Sequence, residues 1–316
     1  MRSRQYRIFF MDALRRVTGR DLFREYERFM NGRIALAAVV GIKRPGYNEE
    51  HQSILFGPSY GQLDYWFPVL LYLAREYRRP IYQHLALWDR SLGAIQKTRY
   101  VTSNGKQLLF EMGGYAYAWY DPTVPDRIEE HLPISFEFPD VNEVYARSSY
   151  EAGAIVVGMK VGRLGVHAGG RPVLIDLYDV HHEPKPAGDL TLRDDRSNAV
   201  IHCSGIPNSG FAEQRIELER PDRLTICRKG SADVPWWCHG EPTQDRNTLT
   251  WPEGTVLRVT KGRILSLDPE GHRDEKIVGL GKLKLVDPMP ISYPLIIVRP
   301  LEGELAIEVR IRESRE

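Results

Sequence analysis

The segment Tyr120-Asp121-Pro122-Thr123-Val124-Pro125 constrains the fold of this chain more than any other. Two prolines so close together forbid a continuous helix, because each lacks a backbone N–H and its ring collides with the preceding turn. The periodicity of the sequence changes at this point. Before it, apolar residues recur at helical spacing. Ile8, Phe9, Met11, Leu14 and Val17 share one face of a first predicted helix, as an amphipathic helix requires. Thr18-Gly19-Arg20-Asp21 then reads as a stop and a new N-cap at Asp21. A second helix turns Leu22, Phe23, Tyr26, Phe29 and Met30 inward.

Beyond the prolines the pattern is that of strands. Segments 143–149, 154–161, 172–178, 198–203, 213–219, 222–228, 255–260, 263–267, 277–286 and 293–311 are rich in β-branched residues, with Gly, Pro, Asn and Asp between them. Leu305-Ala306-Ile307-Glu308-Val309-Arg310-Ile311 alternates cleanly, with a polar outer face. Many short strands with turn signals predict two stacked antiparallel sheets. The expected organisation is α+β and multidomain: a helical segment over 1–120, a linker over 121–131, and an antiparallel β-sandwich over 132–316.

Within the helical segment, helices are predicted for Ile34 to Val40, Gln62 to Tyr77, Ile81 to Ile95 and Leu108 to Trp119. Pro80 opens one of them, where a missing N–H costs nothing. Residues 41–58 are punctuated by Gly41, Pro45, Gly46, Asn48, Gly57 and Pro58 and read as a long loop, a common seat of function. About five helices in so short a span offer much apolar surface. Leu70, Leu71 and Leu87 are therefore expected to stay exposed unless the sandwich or a partner covers them.

Lys and Arg number 43 against 42 Asp and Glu, so no global positive field advertises nucleic acid. The basic start is followed by too short an apolar run for a signal peptide, and nothing approaches a spanning helix. The location of the protein stays open on these grounds. Cys203, Cys227 and Cys238 form no C-x-x-C pair and read as thiols within strands.

Several strings, in order, resemble the heparinase II/III-like polysaccharide lyases. Phe10-Met11-Asp12-Ala13-Leu14-Arg15-Arg16-Val17-Thr18-Gly19-Arg20-Asp21-Leu22-Phe23 looks like a late helix pair of that family's α/α-toroid. Ala118-Trp119-Tyr120-Asp121-Pro122-Thr123-Val124-Pro125 looks like its exit. Phe138-Pro139-Asp140 and Ala146-Arg147-Ser148-Ser149-Tyr150 look like opening β-strands. Ala168-Gly169-Gly170-Arg171-Pro172-Val173-Leu174-Ile175-Asp176 and Arg196-Ser197-Asn198-Ala199-Val200-Ile201 look like later ones. The resemblance covers roughly 10–205. It implies a partial α/α-toroid followed by a β-sandwich, acting on uronate-containing acidic polysaccharide by β-elimination. It also implies that a further part of the toroid, or a partner, covers the helical segment, and that the catalytic Tyr of the family would lie before Met1. The chain departs from the family where a His-Gly-His-x-Asp-like stretch is usual. Met159-Lys160-Val161-Gly162 runs almost directly into Arg163-Leu164-Gly165-Val166-His167, and Ser197 stands where relatives often carry His.

Elimination from a uronate needs the carboxylate neutralised, the C5 proton removed and the leaving O4 protonated, tasks for Asn, Arg, His, Tyr or a metal. The candidate catalytic residues are His51 and Tyr60, in and beside the long loop, and His167 beside Gly169-Gly170. Candidate substrate-binding residues are Asn48 in the loop, Arg196 for an acidic group, and Trp236 and Trp237, which with Trp251 and His239 could stack on sugar rings. His181-His182-Glu183, near Asp176 and Asp179, is the best metal-like cluster. Adjacent histidines on an extended segment face opposite ways, so His181 with Asp176 is the candidate pair for a structural zinc or calcium. Two functions stay open: a lyase, or a non-catalytic carbohydrate-binding or structural module built on that scaffold.

Overall fold

The computed structural model describes residues 2–27, 33–42, 50–54, 67–88, 117–151, 153–176, 189–205, 211–274, 277–280, 283–286 and 291–311. The helical segment contributes α1 (Arg2–Thr18), α2 (Leu22–Glu25), α3 (Arg33–Ala38), α4 (Phe67–Tyr77) and α5 (Pro80–Trp88), with a hairpin of β1 (Val39–Ile42) and β2 (Glu50–Ser53). After the double proline come β3 (Ser135–Phe138), β4 (Glu143–Arg147), β5 (Val156–Lys160), β6 (Arg163–Ala168), β7 (Arg171–Asp176), β8 (Leu190–Asp194), β9 (Asn198–Ser204) and β10 (Phe211–Glu219). They are followed by β11 (Arg223–Gly230), β12 (Val234–Trp237), β13 (Thr243–Asp245), β14 (Thr248–Thr250), β15 (Thr255–Lys261) and β16 (Arg263–Asp274). The last four are β17 (Ile277–Leu280), β18 (Leu283–Val286), β19 (Ile291–Arg299) and β20 (Glu304–Ile311).

Two eight-stranded antiparallel sheets make a sandwich. The outer sheet runs β13-β14-β15-β20-β11-β10-β9-β8, and the middle sheet β16-β19-β12-β7-β6-β5-β4-β3. Their facing sides share one core, in which Leu164, Val166 and Leu174 of the middle sheet meet Ile216, Ile226 and Ile307 of the outer one. The other side of the outer sheet faces water, which is why its strands alternate. β20 reads exposed, buried, half-buried, buried along Glu304-Leu305-Ala306-Ile307. Its polar side is laced by cross-strand ion pairs, including Arg223–Glu308, Lys229–Glu213 and Lys261–Glu304.

The middle sheet is covered on both sides. All five residues of β4 are buried, and so are four of the five in β5. Against its helix side, Phe136, Tyr145, Tyr150 and Val156 form a single apolar cluster with Ile8, Phe23, Leu36, Leu70, Tyr72 and Leu85 from the helices. Leu70 and Leu71 are 1% and 4% exposed, and Leu87 is half-buried. Of the two alternatives, exposure or cover, the structure shows cover: the helices find their partner in the sandwich.

Arg147 fastens this seam. Its guanidinium is buried and donates to the carbonyls of Leu36 and Val39 (2.8 Å to the latter), its Nε donates to Ser149 O at 2.8 Å, and the group lies over the Tyr150 ring. Within the helices, Asp21 caps α2 by accepting from Phe23 N at 3.0 Å, and Arg15 of α1 forks onto Glu76 of α4 at 2.6 and 3.0 Å.

The helix expected over Ile34 to Val40 stops at Ala38, because the β-branched pair Val39-Val40 enters the hairpin with β2. That hairpin corrects the reading of 41–58 as loop throughout. The strand signal does not reveal β6, since Gly162, Gly165 and Gly169-Gly170 interrupt it. It pairs with β5 from Val156↔His167 to Lys160↔Arg163.

Candidate functional site

Side-chain alternation fixes which residues of the middle sheet face the helix side. In β6, Leu164, Val166 and Ala168 enter the inter-sheet core, so His167 turns the other way. In β7, Ile175 turns with it, and it joins Tyr293 and Trp237 in a small cluster of its own. β12 brings Trp237 opposite Ile175 and also opposite Leu295 of β19. The chain leaving β12 places His239 next to β7, with His239 N donating to Pro172 O at 2.9 Å and His239 O accepting from Trp251 Nε1 at 2.9 Å. The His239 and Tyr293 rings are 5.8 Å apart.

His167, Trp237, His239 and Tyr293 thus converge from three parts of the sequence. They form two tiers. His167 and Tyr293 are 1% and 2% exposed, while Trp237 and His239 are half-buried and reach the surface. Burial pushes the His167 imidazole down to about 3, and the neighbouring His239 pushes in the same direction. His167 is therefore a neutral imidazole throughout the ordinary pH range. Beside this cluster, Arg171 pairs with Glu253 at 2.6 Å. Its guanidinium lies so close to Gly240 (φ +83°) that a Cβ there would overlap it.

The other sequence candidates fall in several places. Trp236 does not join Trp237. It points between the sheets and is 0% exposed, so no sugar can stack on it, which corrects that assignment. Asp176 is likewise spent inside the sandwich. Its carboxylate accepts from Trp236 Nε1 at 2.7 Å, from Leu164 N at 2.8 Å and from Arg228 Nη2 at 3.0 Å on each oxygen. A guanidinium, with Gln214 behind it, fills the position that a cation would need. Among the described residues no group of three or more His, Cys, Asp or Glu side chains is arranged to hold a metal. His51 lies in β2, opposite Gly41 of β1. Asn48, Tyr60 and His181 lie outside the described residues.

Arg196 sits at the turn between β8 and β9, at the same end of the sandwich as His167. Arg220 marks the link: it donates to Arg147 O at 2.8 Å, and Arg147 lies across β5 from His167. Nothing in the sequence marks Tyr293 or Arg171 as part of a site. No spacing rule joins residues 167, 239 and 293; only the register of β12 on β7 and β19 does.

No family model matches this chain, and no curated protein does. Among solved structures, the heparan sulfate lyase HepC from Pedobacter heparinus aligns with 14% identity and a TM-score of 0.43, over 87% of this chain and 45% of that one. A heparinase III gene product aligns with 13% identity and a TM-score of 0.33, over 69% of this chain and 40% of that one. The chain spans less than half the length of either.

Proposed function

We propose that this protein engages a uronate-containing acidic polysaccharide on the helix side of its middle sheet, on a scaffold of the polysaccharide-lyase type. The helical segment is read as the end of an α/α-toroid, on the strength of the strings over 10–23 and 118–125. The observation that carries the proposal is the two-tier cluster. The half-buried indole of Trp237 suits contact with a pyranose ring, half-buried His239 lies in the same cluster, and buried His167 and Tyr293 back that surface.

The same tiers argue against these residues completing an elimination by themselves. A base must reach the C5 proton and an acid must reach O4, yet His167 and Tyr293 are sealed and His239 is half-buried. The proposed role of these residues is binding and orientation.

Calorimetry with a heparin-derived tetrasaccharide tests this. Saturable binding is expected to weaken about tenfold in Trp237→Ala, a loss of about 1.4 kcal/mol. His239→Ala should weaken it as well. The ultraviolet absorbance of an unsaturated uronate product should stay flat. Binding indifferent to both substitutions would refute the site, and steady product formation would restore the catalytic reading.

A further inference from the structure

A second feature at the same end of the sandwich is built like an anion site. Arg196 and His131 are not glycines, yet both adopt left-handed backbone, with φ of 75° and 61°. Such a conformation costs of order 1 kcal/mol or more for a residue with a Cβ, and it persists only where the surroundings enforce it. The surroundings here do so. Asp194 Oδ1 accepts from Arg196 N at 2.7 Å. Arg220 Nη1 donates to Arg196 O at 2.9 Å. Arg220 is itself fixed by Asp194 at 2.9 Å through each of two nitrogens, and by Ser135 Oγ at 3.1 Å.

The two acids of the turn, Asp194 and Asp195, are thereby engaged. Asp194 is held by Arg220, and Asp195 closes its own turn by accepting from Ser197 N at 3.0 Å and Asn198 N at 2.7 Å. The Arg196 side chain is left exposed, with Nη1 3.4 Å from Nδ1 of the exposed His131. Nη1 donates to that Nδ1, so the remaining guanidinium N–H groups on the β8–β9 turn lie beside an imidazole, ahead of β3, whose Nε2 carries the proton.

We propose that Arg196 and His131 form an oxyanion subsite that takes a sulfate or carboxylate of the acidic polysaccharide. The guanidinium presents further N–H groups in a planar fork that matches an oxyanion's two oxygens, and the imidazole adds a donor from the side. This inference rests on the proposed polysaccharide reading. From the β12 side of the middle sheet, where His239 lies, to β3 there are five strand spacings, about 24 Å. A chain anchored on Trp237 would therefore cross several sugars before reaching Arg196.

Two measurements separate the subsite from the wider reading. The first is titration of the full chain with inorganic sulfate, followed on the ring signals of His131 by NMR. A saturable shift is expected, and it should vanish in Arg196→Gly. That variant removes the guanidinium while relieving the left-handed backbone, so loss of fold does not confound it. The second is calorimetry with sulfated and desulfated heparin tetrasaccharides. Arg196→Gly and His131→Ala should each weaken the sulfated ligand about tenfold, with the exposed neighbour Arg193→Ala unchanged. A preference for the sulfated ligand identifies the anion as sulfate, and equal losses on both identify it as carboxylate. No saturable shift with sulfate and no effect of Arg196→Gly on either oligosaccharide overturns the subsite. If the sulfate shift persists while Trp237→Ala leaves oligosaccharide binding intact, the subsite stands and the site around Trp237 falls.

Discussion

The buried pair Asp176–Arg228 sets a sharp test of what holds the two sheets together. Asp176 belongs to the middle sheet and Arg228 to the outer one, and their side chains are 11% and 3% exposed. The carboxylate also accepts from Trp236 and Leu164, while Arg228 donates to Gln214 and lies over the Phe211 and Trp236 rings, at 5.3 and 4.8 Å from the centroids. Asp176→Asn keeps the shape but leaves a buried guanidinium without its counter-charge and turns an amide N–H toward donors. Removing one partner of such a pair costs about 3–5 kcal/mol, a large share of the roughly 5–15 kcal/mol that holds a typical domain together. Arg228→Met should cost a similar amount, since it strands the carboxylate. The double variant Asp176→Leu with Arg228→Met removes both charges. It should be less destabilised than the sum of the single losses by about 2 kcal/mol or more, because neither charge is then left alone. Urea unfolding followed by tryptophan fluorescence measures all three, with Trp236 as a reporter bonded to the pair. Single variants within about 1 kcal/mol of wild type, or losses that simply add, would refute the argument.

Three further outcomes follow from other parts of the molecule. The lowered pKa of His167, about 3 against the ordinary 6.5, means the unfolded chain binds one more proton between those values. Its contribution to stability is complete above pH 6.5 and is lost as pH falls toward 3, by up to about 1.4 kcal/mol per pH unit; His167→Gln should flatten that part of a urea-midpoint profile. Arg147→Met should leave the carbonyls of Leu36, Val39 and Ser149 unpaired, each at a cost of about 1–3 kcal/mol, and hydrogen exchange at 33–39 should accelerate first. Gly169→Ala adds a Cβ that overlaps Thr255 Oγ1 at φ +61° and should destabilise by about 1–3 kcal/mol, whereas Gly153→Ala meets nothing within 4 Å and should be neutral or slightly stabilising in a thermal melt.

Much of the architecture is legible in the sequence because burial writes itself as periodicity. The β-branched runs over 198–203 and 213–219 coincide with β9 and the greater part of β10, and Asp21 caps a helix as its position predicts. Legibility fails where one residue has two neighbours to satisfy. Val39 and Val40 sit inside a helix-like apolar run, yet they pair with Ser53 and Gln52. Trp236 and Trp237 are adjacent and alike in sequence, and the alternation of a strand sends one into the core and the other to the surface. Asp176 beside His181 looks like a ligand pair until Arg228, 52 positions away, takes the carboxylate. The His167, His239 and Tyr293 cluster depends on long-range register, which local pattern does not encode.

The double proline suggests a seam at which the chain could be cut, but the cluster that includes Phe136, Tyr145, Tyr150 and Val156 crosses it. Those residues belong to the sandwich by sequence and to the helices by contact. A sandwich moved by recombination into another protein would carry a greasy sheet face with nothing to meet it, and a graft that succeeds must bring Leu36, Leu70 and Leu85 along or repaint that face with polar side chains. Descent should therefore have kept the two parts together, so that a substitution at Arg147 is answered across the seam, around Leu36 and Val39.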